Sequence, residues 1–386
     1  YGISIEAGSI IDDSTNGNVK LTGTGGDGIF GNQGIRIQDN GTSVSSVVGA
    51  ITLNGTGGNG TGNNNEGVTI ILDALIQSTG TGAIDITGNA TNGANLNKGI
   101  VFYNADALAA GGGITMIGNG RGTGDANYGI SIEAGSIIDD STNGNIKLTG
   151  TGGDGVNGNN GIDITGTSFV RANNGDVTLI ANGGNGSGNG NLGLQFIEGS
   201  TISSSGTGDI SVTGKAGTGV NFNKGIELVG VNLISNGGNI IFDGTGGNGS
   251  GIYNQGVTIR DFANVSTSGT GTIILDGISG TGSNTNWGAE IVSNGTVFSA
   301  ENGDITIMGT SADTNGTDQR GLFIETEITT TGTGNINLTG TAGNAASRGI
   351  FLEDFNSRIL SGGIATITAL IGPLTTPTGL PPTFLI

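Results

Sequence analysis

Cysteine and histidine are both absent from the 386-residue sequence, and their absence excludes several kinds of active site. A chain without cysteine has neither disulfide bonds nor a thiol nucleophile, and it is compatible with secretion. Without histidine there is no Ser-His-Asp triad, and without both residues there is no ordinary zinc site. Triad hydrolysis and zinc-dependent chemistry are therefore not expected of this sequence.

Proline is scarce and confined to one end of the chain. None occurs in residues 1–371, and the four prolines are Pro373, Pro377, Pro381 and Pro382. Because proline has no backbone N–H to donate, a β ladder that is paired on both sides excludes it. This distribution predicts an uninterrupted β array over residues 1–371, followed by a linker, cap or donor strand over residues 372–386.

Positive charge and long apolar runs are also lacking. The 12 basic residues face 31 acidic ones, so the net charge is −19. Such a surface repels the phosphates of nucleic acid and the headgroups of an anionic membrane. No segment approaches the roughly 18 consecutive apolar residues that a membrane-spanning helix needs. We therefore expect no nucleic-acid partner and no membrane-spanning segment.

Glycine, by contrast, supplies 82 residues, and apolar residues make up 33% of the chain. Collagen would need glycine at every third position together with abundant proline. Disorder would need low hydrophobicity, whereas here isoleucine, valine and leucine alternate with polar residues in short runs. The composition therefore predicts an ordered, all-β protein.

A repeat organises the sequence. Residues 1–28 recur at 128–155 with one substitution, Ile146 in place of Val19, and four smaller units fit into this period. Each unit opens with a glycine followed by an apolar-x-apolar triplet, at a spacing of 28 to 33 residues. The opening glycines are Gly2, Gly34, Gly67, Gly99, Gly129, Gly161, Gly193, Gly225, Gly256, Gly288, Gly321 and Gly349. Since Tyr1 matches Tyr128 inside a unit, we expect the N-terminus to be a cut through an array or a processing site.

A second signature, Gly-x-apolar-x-apolar-x-Gly, follows the opening glycine by 13 to 15 residues in eleven of the twelve units. Examples are GNVKLTG (17–23), GAITLNG (49–55) and GDITIMG (303–309), and in one unit Ala181 replaces the closing glycine. A polar loop such as GTGGNGTGNNN (55–65) follows it. A weaker apolar site lies between the two signatures, at Ile10, Val44, Ile202, Val265 and Ile328.

These patterns predict a right-handed parallel β-helix (β-solenoid) of about twelve repeats. One repeat cannot bury its apolar side chains alone, but repeats stacked about 4.8 Å apart can. We favour one rung of about 32 residues with three short strands over two rungs of 16, because the two signatures differ in phase. Glycines are expected where the backbone turns sharply or takes a positive φ. The predicted inward residues include Val19, Leu21, Ile51, Leu53, Ile84 and Ile86, and one internal ladder joins Ile3, Ile35, Val68, Ile100 and Ile130.

The opening GISI (2–5) and phrases such as GNINLTGT (334–341) closely resemble the repeats of filamentous-haemagglutinin-like exoproteins. These right-handed β-helical proteins of Gram-negative bacteria and cyanobacteria are often exported by two-partner secretion. The resemblance extends to about residue 371 and does not include the secretion-signal domain that defines the family. It implies an extracellular, surface-attached fibre used for adhesion, biofilm or sheath formation.

Carboxylates are the remaining candidates for chemistry, because β-helices also host polysaccharide lyases and glycosidases. The adjacent pairs Asp12–Asp13 and Asp139–Asp140 would serve as an acid/base pair or bind calcium, or they are simply solvated acids in a turn. Asp27 and Asp154, in Gly-Gly-Asp-Gly turns, are further weak calcium candidates. With no cluster of basic or aromatic residues to form a cleft, we expect no enzyme and no cofactor, and we leave calcium open.

The residue before each opening glycine is large in most units. Tyr1, Tyr128 and Trp287 are the aromatic members of this set, and Lys98 lies one unit before Tyr128. Such a column is either a ladder of stacked side chains that covers a corner, which we favour, or a stripe that contacts glycans.

Three functions therefore compete on sequence alone. The first is an extracellular structural fibre subunit or adhesin stalk that self-associates through the ends of its solenoid. The second is an adhesin that binds surface glycans, and the third, which we favour least, is a polysaccharide lyase or hydrolase. We expect a cell-surface location for each.

Overall fold

In the computed structural model, which describes residues 1–293, 295–313, 315–353 and 357–371, the protein is a three-sided parallel β-solenoid. Thirty-six strands form three twelve-stranded sheets, and each consecutive trio of strands is one rung, numbered 1 to 12 along the chain. No helix occurs in these residue ranges, and thus none that is long and apolar enough to cross a membrane. The predicted tail, 372–386, lies outside the described residues.

The first sheet contains the strands that follow the opening glycines. They are β1 Ile3–Ile5, β4 Ile35–Gln38, β7 Val68–Ile71, β10 Ile100–Tyr103, β13 Ile130–Glu133, β16 Ile162–Ile164, β19 Leu194–Ile197, β22 Ile226–Val229, β25 Val257–Arg260, β28 Ala289–Ile291, β31 Leu322–Ile324 and β34 Ile350–Leu352.

The second sheet contains the weaker apolar site. Its strands are β2 Ile10–Asp13, β5 Ser43–Ser46, β8 Leu75–Ser78, β11 Asp106–Ala109, β14 Ile137–Asp140, β17 Phe169–Ala172, β20 Thr201–Ser204, β23 Asn232–Ser235, β26 Asn264–Thr267, β29 Val297–Ala300, β32 Glu327–Thr330 and β35 Arg358–Leu360.

The third sheet contains the second signature. Its strands are β3 Val19–Thr24, β6 Ile51–Thr56, β9 Ile84–Asn89, β12 Ile114–Asn119, β15 Ile146–Thr151, β18 Val177–Asn182, β21 Ile210–Lys215, β24 Ile240–Thr245, β27 Ile273–Ile278, β30 Ile305–Thr310, β33 Ile336–Ala342 and β36 Ala365–Ile371.

The pairing of strands confirms one rung per repeat. Ile3 pairs in parallel with Ile35, 32 residues further on, and each later strand of a sheet pairs with its equivalent in the next rung. The predicted internal ladder from Ile3 through Ile35, Val68 and Ile100 to Ile130 is formed as expected. Equivalent residues therefore repeat along the axis at the strand spacing, about 4.8 Å.

The core is a continuous apolar column inside the three sheets. The predicted inward residues of the third sheet are buried, except that Leu21 in rung 1 is only partly buried against the core. One prediction on the second sheet is wrong: Ile10 is 68% exposed, and its neighbour Ile11 packs against the core and pairs with Val44. Because Ile10 and Ile11 are both apolar, the sequence pattern allows either of them to point inward. The pairing of Ile11 with the buried Val44 shows that Ile11 does.

The signature glycines are required for close packing rather than for positive φ, which corrects part of our expectation. A Cβ on Gly34 would lie 2.3 Å from the Thr56 backbone nitrogen, and one on Gly55 would lie 2.1 Å from the Gly67 carbonyl oxygen. Neither glycine has positive φ, whereas Gly8 and other glycines after the first strand do. The two signature glycines meet where the third sheet joins the first, and a Cβ at Gly34 or Gly55 would require the neighbouring backbone to shift. Rung 6 accommodates such a Cβ, because Ala181 is buried in register with the closing glycines.

Candidate functional site

A buried asparagine ladder fixes the polar loops between the third and first sheets. In rungs 2 to 8, the backbone N–H of one asparagine donates to the side-chain oxygen of its equivalent in the next rung, at 2.8–3.2 Å. The same pattern continues from Asn286 to Gln319, and the side-chain amide of Asn32 extends it to Asn65. The ladder consists of Asn32, Asn65, Asn97, Asn127, Asn159, Asn191, Asn223, Asn254, Asn286 and Gln319. Because each amide saturates a buried backbone donor, the loops stack as regularly as the strands.

This ladder was not predicted from the sequence, although the sequence contains a signal for it. The ladder residue stands two positions before the opening glycine, as in Asn65-Glu66-Gly67 and Asn127-Tyr128-Gly129. Asparagine is so common in the loops that its recurrence at this position does not stand out unless the units are aligned on their glycines.

A strip of polar side chains covers the outer face of the first sheet. Glu66 accepts hydrogen bonds from Gln33 and Thr69, and Lys98 lies 2.6 Å from the Glu133 carboxylate. Burial raises the pKa of Glu66 despite these donors. Burial also acts on Glu133, but Lys98 outweighs it and holds the pKa of that carboxyl below its usual value. The strip is therefore a set of internally paired groups rather than an open surface.

Asp163 is a further buried carboxyl of this strip. Its side chain is buried, and burial raises the pKa of this carboxyl to about 7 against the attraction of Lys98. The Asn160 amide donates to its oxygen at 3.1 Å, and Glu133 and Glu198 oppose its ionisation further. Within the part of the chain that the structure describes, no group of three or more acidic side chains that could hold a metal ion forms around it.

The three aromatic residues before opening glycines are placed differently from one another. Tyr1 is 54% exposed, Tyr128 is half-buried under the Lys98 ammonium at 4.9 Å, and Trp287 is 6% exposed. Burial raises the pKa of the Tyr128 hydroxyl. Of these three rings only Tyr1 is largely exposed, so the column offers a glycan little aromatic surface beyond Tyr1.

Trp287 belongs to a second apolar cluster outside the first sheet. Its ring meets Phe323 edge to face at 4.7 Å between centroids, and Phe323 stacks on Phe351. The Arg320 guanidinium lies 4.1–5.1 Å from the centroids of these three rings and pairs with Asp318. This cation is enclosed by its own protein, so the cluster stabilises the late rungs rather than presenting a ligand site.

The acidic pairs do not converge, because neighbouring residues of a strand point to opposite faces. Asp139 faces outwards and pairs with Arg171 at 3.2 Å, and partial burial raises the pKa of its carboxyl. Asp140 is buried and accepts backbone N–H groups from its own rung and the preceding one at 2.9–3.1 Å. In rung 1, Asp12 accepts from Ser45, and Asp13 accepts from Thr15.

The turn aspartates are exposed and separate. Asp27 and Asp154 lie in equivalent loops of rungs 1 and 5, and Asp154 accepts the Asn185 backbone N–H at 2.9 Å. Among the described residues, no three carboxylates come together as a cation site would need. The structure thus brings none of the predicted calcium ligands into one group, and calcium binding stays an untested prediction.

A groove of about 1180 Å³ runs along the axis at the corner between the third sheet and the polar loops. It crosses rungs 2 to 6, where the strand ends Thr56, Asn89, Asn119 and Thr151 pair in register along one side. The loops of the same rungs contribute further asparagines, threonines and glycines, one cation, Arg121, and one carboxylate. The groove was not predicted from the sequence, because its width depends on how far the loops lie from the sheet.

Four basic side chains form no ion pair, hydrogen bond or cation–π contact with any part of the chain that the structure describes. They are Lys20, Arg121, Lys147 and Lys215, and all of them are exposed. The three lysines point outwards from the third sheet, and Arg121 follows that sheet in rung 4. The unpaired basic side chains of this acidic protein therefore lie on the face that carries the groove.

No family model, curated protein or solved structure matches this chain.

Proposed function

We propose that this chain is a structural segment of an extracellular bacterial surface fibre or adhesin stalk. The observation that supports this most is the uninterrupted stack of twelve rungs, held by three parallel sheets and a buried amide ladder. Eleven steps at the strand spacing give a rod roughly 50–55 Å long. A rod of rungs with one shared fold suits a spacer, because each rung is stabilised by its neighbours and length is set by their number.

The proposal includes association through the solenoid ends. In the last rung, Ile367 occupies an inward position yet is 53% exposed, whereas its partner Leu338 is buried. A stacked rung would cover this residue and use the free hydrogen-bonding groups of the strand edge. The covering rung belongs either to a second copy or to further repeats of a longer chain.

Negative-stain microscopy of the purified chain tests the fibre role. We expect filaments of solenoid width whose length grows with protein concentration. Ile367→Asp should shorten them, because a carboxylate would enter the apolar contact. Thr366→Asp, an outward residue of the same strand, is the matched control. Single rods about 55 Å long at every concentration would contradict end-to-end association.

We further propose that the chain is not an enzyme. In support, the two carboxylates of each predicted pair, Asp12–Asp13 and Asp139–Asp140, point to opposite faces of their strand, and each is bound by its own neighbours. A glycosidase needs its two carboxyl groups to flank the same scissile bond. We expect no reducing-end release from acidic polysaccharides, with or without calcium. Turnover that disappears in Asp12→Asn or Asp139→Asn would overturn this.

A further inference from the structure

We propose that the axial groove of rungs 2 to 6 binds a linear, uncharged polysaccharide whose chain lies parallel to the solenoid axis. The inference concerns a side surface of the rod and does not depend on whether the rods form fibres. It moves glycan contact away from the predicted stripe Tyr1, Tyr128 and Trp287, two of whose members are largely covered.

The chemistry of the lining favours a ligand rich in hydroxyl groups. Amide and hydroxyl side chains both donate and accept hydrogen bonds, as sugar hydroxyls do. Asn59, Asn92 and Arg121 are exposed in the groove, and their side chains have no hydrogen-bond partner among the described residues. These groups are therefore able to bind a ligand without breaking an existing hydrogen bond.

The charge of the groove favours a neutral chain over an acidic one. Its single cation, Arg121, is balanced by its single carboxylate, Asp154, and the protein as a whole carries −19. An acidic polysaccharide would be repelled by that net charge. A neutral sugar can instead accept a charge-assisted hydrogen bond from the Arg121 guanidinium.

The periodicity of the groove favours a polymer with a matching repeat. Thr56, Asn89, Asn119 and Thr151 are in register, so one polar side chain recurs at each step of about 4.8 Å. That step is close to the length that one pyranose ring adds to an extended, equatorially linked chain. Successive sugar rings would thus meet equivalent groups on successive rungs.

The groove is rigid, which lowers the entropic cost of binding. A Cβ on Gly153 would lie 2.9 Å from the Arg121 Cα, and one on Gly184 would lie 1.8 Å from the Gly153 carbonyl oxygen. These lining glycines are packed against the neighbouring rung, so the surface cannot collapse into the groove. Beyond rung 6, the equivalent strand-end positions carry Lys215 and, two rungs later, Ile278, which interrupt the run of threonine and asparagine.

Isothermal titration calorimetry of the full chain with cellohexaose, β-1,4-mannohexaose and β-1,4-xylohexaose tests the proposal. We expect saturable binding of at least one of them at one site per chain. Arg121→Ala and Asn59→Ala should each weaken it by about tenfold, the loss expected when one good hydrogen bond is removed. Asn248→Ala changes the equivalent loop residue of rung 8, outside the groove, and should leave affinity unchanged.

Both groove variants should melt at the parental temperature, because neither side chain forms a hydrogen bond or an ion pair with a described residue. Three results would overturn the proposal: no saturable binding of any neutral hexasaccharide, equal effects of Asn248→Ala and the groove variants, or tighter binding of an oligogalacturonate probe. The last result would assign the groove to acidic glycans through the unpaired cations of this face.

Discussion

A single side chain on the third sheet tests the inward phase of that sheet. Leu53 is fully buried and Thr52, its neighbour in the strand, faces outwards. Leu53→Asp should lower the free energy of unfolding by about 3 kcal/mol or more, because a carboxylate would be buried without a partner. Thr52→Asp should change it by less than about 1 kcal/mol. Urea unfolding followed by circular dichroism measures both, and equal midpoints would contradict the assignment.

Asp163 should make the stability of the protein depend on pH. The pKa of Asp163 is about 7 in the folded protein, whereas that of an unfolded aspartate is about 3.9. Between about pH 3.9 and about pH 7, the folded state therefore binds more protons than the unfolded state. Stability from this group therefore falls as pH rises from about 4 to about 7, and the loss persists above pH 7. Burial of Glu66 and Glu290 raises their pKa values too and adds to the same trend.

Comparison with Asp163→Asn isolates the contribution of this carboxyl. The asparagine stays neutral and can still accept the hydrogen bond from Asn160. We expect the variant to be more stable than the parent at pH 8 and to match it near pH 4, in urea midpoints measured across that range. Asp176→Asn, at an exposed carboxyl, is the control. Parallel curves for parent and Asp163→Asn would contradict the expectation.

At the scale of the element, the asparagine ladder should contribute to stability like an additional strand. The Asn159 side-chain oxygen accepts both the backbone and side-chain N–H of Asn127, at 3.2 and 3.1 Å. Asn159→Ala leaves these buried donors unpaired, at a cost of about 1–3 kcal/mol.

The matched control is Asn143→Ala, which removes an exposed acceptor of Asn174 that water can replace. We expect this variant to lie within about 0.5 kcal/mol of the parent. Chemical unfolding of the two variants measures both free energies of unfolding. If both lose the same stability, the ladder is a consequence of the fold and not a support for it.

How far the sequence predicts an element depends on whether its signal is local. Strands such as Ile336–Ala342 could be predicted, because alternation and flanking glycines lie within one unit. The inward residue of β2 was misplaced by one position, since Ile10 and Ile11 satisfy the pattern equally and only the pairing with Val44 distinguishes them. The groove could not be predicted, because its width depends on the distance between loops and sheet.

At the scale of the whole molecule, the near-identity of residues 1–28 and 128–155 has a structural counterpart. Rung 5, built from 128–155, lies on rung 4 through the pairs Ile100–Ile130, Ala107–Ile138 and Met116–Leu148. A rung with the sequence of residues 1–28 therefore presents a face that fits a rung like the fourth. Blocks of four rungs can be added or removed without the need for a new interface.

The direction of the hydrogen bonds also determines how the rod responds to tension. The bonds between rungs point along the axis, as in the pairing of Ile3 with Ile35, so axial pulling loads one rung's bonds at a time. In an optical trap we expect a sawtooth in which each event releases one rung of 32 residues and lengthens the chain by roughly 100 Å. A single rupture of the entire array would contradict this. If the chain serves as a surface stalk, it would extend stepwise under flow, because each rung that unfolds absorbs mechanical work before the next rung is loaded.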